Sequence, residues 1–154
     1  MMVFLDSGVL GILSNPTESE TNAKCEDWLF RLLSKGIKVI TSEICKYEVK
    51  RSLILAQKRT GYKIGGVEKL AELSDLIEFI PITKNEIDIA CEIWSDSVIK
   101  GIQVAAENDI NFDIIICAQW KNLTTENPGQ EVVIATHNLR HLRRFAKAEE
   151  WENI

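Results

Sequence analysis

The chain is poor in the residues that several chemistries require. Its four cysteines, Cys25, Cys45, Cys91 and Cys117, form no C-x-x-C pair, and neither of its two histidines stands at zinc spacing from them. A structural zinc site and a dithiol redox motif therefore have no support, and reduced, buried thiols are expected. No apolar run approaches the roughly 20 residues that a membrane span needs. The opening Met1-Met2-Val3-Phe4-Leu5 lacks the basic start and small-residue cleavage site of a signal peptide. The expectation is a cytoplasmic protein with no membrane partner. No Ser- or Pro-rich linker divides the 154 residues, so one domain over 1–154 is expected. A net charge of −5 argues against a surface that is basic all over. Nucleic acid stays open as a partner, because local patches rather than totals set electrostatic contacts.

What is present is an alternation of strands and helices. Four apolar runs, Val3 to Leu5, Ile37 to Ile40, Phe79 to Ile82 and Val132 to Ala135, are separated by helical patterns. A run without polar alternation reads as a strand buried on both faces, as in a parallel sheet. Pro81 cannot donate a ladder hydrogen bond, which favours an edge or a strand end for the third run. Between them the pattern predicts a short turn of helix from Val9 to Leu13 and helices from Thr21 to Lys35, Glu43 to Gln57 and Val67 to Ser74. A further helix carries Ile87, Ala90, Cys91, Trp94 and Val98 on an apolar face. Two more run from about Asn111 to Trp120 and from Leu139 to Ala146. Strands joined by helices of this length imply right-handed βαβ crossovers and an α/β sandwich.

The first strand empties into Asp6-Ser7-Gly8, at the carboxyl end where open α/β sheets keep their sites. Glu48 shares a helical stripe with Ile44 and Tyr47 and is expected to point toward the sheet. The alternative is a local ion pair with Arg51 or a hydrogen bond to Ser52. Asp113 shares a stripe with Ile116, Cys117 and Trp120, or else serves the positive end of its helix dipole. Thr136 and Asn138 end the fourth strand at the same edge as Asp6, where either can also cap the next helix. Three carboxylates converging on one edge repel unless a proton or cation intervenes. Oxygen-only ligands suit Mg²⁺ or Mn²⁺, and phosphodiester hydrolysis uses such an arrangement. His137 and His141 are expected in solvent or capping roles. A phosphatase with an aspartyl nucleophile would need a second Asp two residues after Asp6, and Gly8 stands there.

Leu5-Asp6-Ser7-Gly8-Val9-Leu10, the Ser42 to Arg51 stretch, Asp113-Ile114-Ile115-Ile116-Cys117-Ala118-Gln119 and Ile134-Ala135-Thr136-His137-Asn138 resemble the ordered motifs of PIN-domain nucleases. The similarity spans the chain and is closest to small bacterial PIN proteins related to the toxins of toxin–antitoxin pairs. It implies a three-layer α/β/α sandwich around a parallel sheet of four to five strands, order 3-2-1-4(-5). It also implies that Asp6, Glu48 and Asp113 hold Mg²⁺ or Mn²⁺, with Asn138 at a fourth catalytic position. The implied activity is a metal-dependent endoribonuclease that leaves 5′ phosphate and 3′ hydroxyl ends. Ser7 and Thr136 would act as second-shell or phosphate-orienting groups. Lys46, Lys50, Arg51, Arg140, Arg143 and Arg144 would meet the RNA backbone or else form a solvated helix face. Two departures stand out. Asn111 sits where some relatives have Asp, and Asn138 is an amide; Asp109 and Glu43 are candidate substitutes, Glu43 equally a helix N-terminal acid. An antitoxin and a second copy of the chain are the further partners the resemblance admits. A non-catalytic RNA-binding or regulatory PIN-like module is the alternative function.

Overall fold

The computed structural model describes residues 1–17, 19–62, 65–102 and 112–154. Five parallel strands form one sheet: β1 (Met2–Leu5), β2 (Lys38–Ser42), β3 (Glu78–Ile80), β4 (Val132–Thr136) and β5 (Ala148–Glu150), in the order β3-β2-β1-β4-β5. Helices α1 (Ser7–Ser14), α2 (Glu20–Ser34), α3 (Glu43–Thr60), α4 (Gly66–Leu76), α5 (Lys84–Ile99), α6 (Phe112–Glu126) and α7 (Leu139–Leu142) flank it. The expected three-layer sandwich and strand order are both observed. β1 is buried at every position and lies in the middle, with Leu5 opposite Thr41 on one side and Ala135 on the other. The winding direction reverses between β1 and β4, which opens a crevice beyond their carboxyl ends.

Local chemistry sets the boundaries. Ser19, Ser42 and Thr83 cap α2, α3 and α5 through their hydroxyls, and Asp6 caps α1 through its carboxylate. β3 stops at Ile80, one residue before Pro81, at the edge where a missing N–H costs nothing. α4 begins at Gly66 against the end of α1, where a Cβ would lie 2.6 Å from Leu53 Cδ2 and 3.1 Å from the Ser14 carbonyl.

Three expectations need correction. The Leu139 to Ala146 helix is a single turn, because the chain leaves it to lay β5 beside β4, with Arg143 Nε donating to the Ala148 carbonyl at 3.2 Å. On α5 the residues Ile87, Cys91, Trp94 and Val98 are exposed, and the inward positions are Glu86, Ala90 and Ser97. Cys91 is therefore the exception to the expected burial of the thiols.

The inward carboxylate of Glu86 explains the rotation of α5. It accepts from the Thr83 N–H at 2.8 Å, closing a capping box, and from the amides of Asn122 at 3.3 Å and Gln119 at 3.5 Å on α6. Gln119 also donates to the Pro81 carbonyl at 3.2 Å. The network fixes α6, the helix that carries Asp113, against α5. Glu86→Ala removes the acceptor shared by Thr83, Gln119 and Asn122 and should lower the unfolding free energy by about 1–3 kcal/mol. Glu86→Gln, which keeps an acceptor at the cap, should cost less. Urea unfolding of both variants measures the difference.

Candidate functional site

Asp6 follows the last residue of β1, and its N–H continues the ladder by donating to the Ala135 carbonyl at 3.0 Å. Its carboxylate is 5% exposed and held at both oxygens. Oδ1 accepts from the Ser7 N–H at 2.6 Å and from the Ser7 hydroxyl at 3.3 Å, and Oδ2 accepts from the Thr136 hydroxyl at 2.6 Å. Thr136 Oγ1 in turn accepts from the Asn138 N–H at 2.7 Å. The end of β4 thus locks the carboxylate at the end of β1 in one rotamer, while the Asn138 side chain stays exposed beside it.

Asp113 enters from the first turn of α6 and is half-buried. Burial pushes its carboxyl above the usual Asp value, and the charges of Asp6 and Glu48 push the same way, while His141 opposes them. His141 Nδ1 lies 3.7 Å from Asp113 Oδ2. His141 is exposed, as expected of a solvent role, and it also faces an acidic side chain. The only signal available was its position just after β4.

Glu48 comes from α3 and is half-buried, with no hydrogen bond or ion pair to its side chain among the described residues. Neither local partner weighed for it takes it up. Ser52 Oγ donates to the Glu48 backbone carbonyl at 3.1 Å, and Arg51 lies over the rings of Tyr47 and Phe112. Glu48 also lines a groove of about 530 Å³ between α1 and α3, walled by Ser7, Gly8, Gly11 and Ser52. Glu43 is exposed in the first turn of α3, 3.4 Å from Lys46. Asp109 and Asn111 lie outside the described residues. Among the described residues no three His, Cys, Asp or Glu side chains are close enough to share one ion. Asp6, Glu48 and Asp113 are therefore neighbours in field rather than a closed cage.

Two buried thiols lie in the same field. Burial raises Cys45 on α3, and the Asp6 and Glu48 charges add to it; burial raises Cys117 on α6 to about 12, with Asp113 and Asp6 adding. Burial likewise lifts Cys25 to about 12. All three stay protonated and shielded at mildly alkaline pH, so iodoacetamide should label Cys91 alone in the folded protein. Peptide mapping before and after denaturation checks this.

The fold recurs in solved structures. A chain of VapBC2 from Rickettsia felis, determined with a promoter DNA fragment, matches with a TM-score of 0.66 at 18% identity, covering 98% of this chain and 99% of that one. VapBC-1 from nontypeable Haemophilus influenzae gives 0.64 at 14% identity, covering 99% of each chain. FitAcB from Neisseria gonorrhoeae gives 0.61 at 16% identity, covering 99% of this chain and all (100%) of that one. The chain has the PIN-domain fold. At these identities the likeness speaks for the PIN fold and for nothing finer. No protein-family model matches the chain, and no curated sequence does.

Proposed function

We propose that the chain is a divalent-metal-dependent ribonuclease that hydrolyses RNA phosphodiester bonds at the acidic crevice. One observation carries the reading. Carboxylates from three elements, Asp6 after β1, Glu48 on α3 and Asp113 on α6, are close enough that the first two act on Asp113 electrostatically, and none is paired with Lys or Arg among the described residues. Mutual repulsion of this kind calls for a cation. The donors are all oxygens, which suits Mg²⁺ or Mn²⁺ rather than zinc. Asp6, Glu48 and Asp113 would hold it. When bound, such a cation lowers the pKa of a coordinated water and offsets charge on the phosphate.

The chain's own groups supply the rest. Thr136 fixes Asp6, so that one ligand is pre-oriented. Asn138, exposed at the rim, and Ser7, beside Asp6, are positioned to orient a phosphate oxygen or a water. Glu48 is unrestrained by any hydrogen bond among the described residues and is the ligand free to adjust. Arg51, Lys50 and Arg140 are exposed cations for the RNA backbone. Arg143 is held by Glu149 at 2.7 Å, which makes it a poorer phosphate contact. The VapBC and FitAB assemblies among the structural neighbours support a protein antitoxin as partner.

A non-catalytic RNA-binding or regulatory module is the second reading, favoured by the lack of a closed three-ligand cluster among the described residues. Incubating the purified chain with single-stranded RNA in Mg²⁺, Mn²⁺ or EDTA separates the two. Metal-dependent cleavage leaving 5′ phosphates and 3′ hydroxyls is expected. RNA that is bound but intact at every metal concentration would favour the second reading.

A further inference from the structure

Near Glu48 and Asp113 in the chain, two aromatic rings from different helices meet as a tilted pair at the surface with an arginine over both. Tyr47 immediately precedes Glu48 on α3, and Phe112 immediately precedes Asp113 on α6. Their ring centroids are 6.3 Å apart at an interplanar angle of 59°. The Arg51 guanidinium carbon lies 5.6 Å from the Tyr47 centroid and 5.3 Å from that of Phe112. Tyr47 is 55% exposed, and its hydroxyl makes no hydrogen bond among the described residues. Burial in the core therefore does not account for the tyrosine, nor does a polar contact of its hydroxyl. Arg51 has a carboxylate one turn away in Glu48, yet it sits on the rings.

We propose that Tyr47, Phe112 and Arg51 form a stacking site for one unpaired nucleobase of single-stranded RNA, next to the phosphate to be cut. The substrate class rests on the ribonuclease reading. An exposed aromatic face accepts any base, because every base has a π-face, and an Arg guanidinium can stack on the base or turn to the phosphate. In a duplex those faces are covered by neighbouring bases, so the site selects single strands. Tyr47 and Phe112 stand on the two helices that carry Glu48 and Asp113, which puts base capture on the elements that supply two of the acidic residues. Lys50, exposed on the same helix and in no ion pair among the described residues, adds backbone attraction.

The test measures binding apart from cleavage, using the full chain with Asp6→Asn in EDTA and a short RNA carrying one fluorescent adenine analogue. Binding should quench the analogue, and the single strand should bind about tenfold or more tightly than the same sequence in a duplex. Tyr47→Leu and Phe112→Leu should each weaken single-strand binding about tenfold and remove most of the quenching, whereas Tyr47→Phe keeps both. Tyr62→Leu, at an exposed tyrosine past the far end of α3, should bind as the parent does. Failure of the parent to bind RNA, or unchanged binding and quenching in both leucine variants, would overturn the proposal. The two readings separate in otherwise native protein with Mn²⁺. Tyr47-dependent RNA binding without cleavage keeps the stacking site and removes the nuclease. Cleavage by Tyr47→Leu with an unchanged KM does the reverse.

Discussion

Asp6→Asn should reduce metal-dependent RNA cleavage about a thousandfold or more, the kinetic equivalent of about 4 kcal/mol of lost transition-state stabilisation. The chain should still fold. Asn is as good an N-cap as Asp, so the bond from the Ser7 N–H to Oδ1 survives in kind. What changes is the pairing with Thr136. Its hydroxyl now donates to a carboxylate at 2.6 Å and accepts from the Asn138 N–H, and the new amide cannot accept at both of its atoms. Against the weakened bond stands the relief of repulsion with Asp113, so the melting temperature in EDTA should change little. Cleavage by the purified variant at a wild-type rate would remove Asp6 from the mechanism. A large drop in melting temperature in EDTA would make Asp6 a structural cap first.

The second large effect is a pH dependence that metal removes. In the metal-free protein, Asp113 is raised above its ordinary value of 3.8 by burial and then by Asp6. The native state thus binds more protons than the unfolded state between 3.8 and the raised value, and stability falls as pH rises through that window. The penalty is absent below the unfolded pKa and complete above the folded one. Relative to Asp113→Asn, the metal-free wild type should therefore gain stability as neutral solution is acidified into that range. Saturating Mg²⁺ favours the carboxylate and should remove the gain. Its stabilising increment should shrink as protons compete for Asp113, and should be smaller still in Glu48→Gln at every pH. Thermal melts across pH, with and without Mg²⁺, read all of these. A wild type and Asp113→Asn that run parallel in both conditions would take Asp113 out of the site.

The parts of this molecule legible in sequence are those set by local pattern. The Val3 to Leu5 run, buried throughout, marks β1, and its carboxyl end places Asp6 where open α/β sheets keep their sites. The parts that were not legible depend on contacts distant in the chain. Apolar periodicity turned α5 the wrong way, because it counts Ile87, Trp94 and Val98 and cannot see that the buried Glu86 is satisfied by Gln119 and Asn122 on another helix. The Leu139 to Ala146 segment has helical composition, yet the open edge of β4 draws the chain into a strand. The bond from Thr136 to Asp6 joins positions 130 residues apart, and the approach of His141 to Asp113 crosses two elements. No local spacing encodes either one.

Manganese binding to the metal-free protein, followed by electron paramagnetic resonance of the free ion, tests the central claim most directly, because it asks whether these carboxylates hold a divalent cation before any substrate is present. Saturable binding by the wild type, abolished in Asp6→Asn and weakened in Glu48→Gln and Asp113→Asn, is the predicted result. Equal binding by the wild type and all three variants, or none by the wild type, would contradict it.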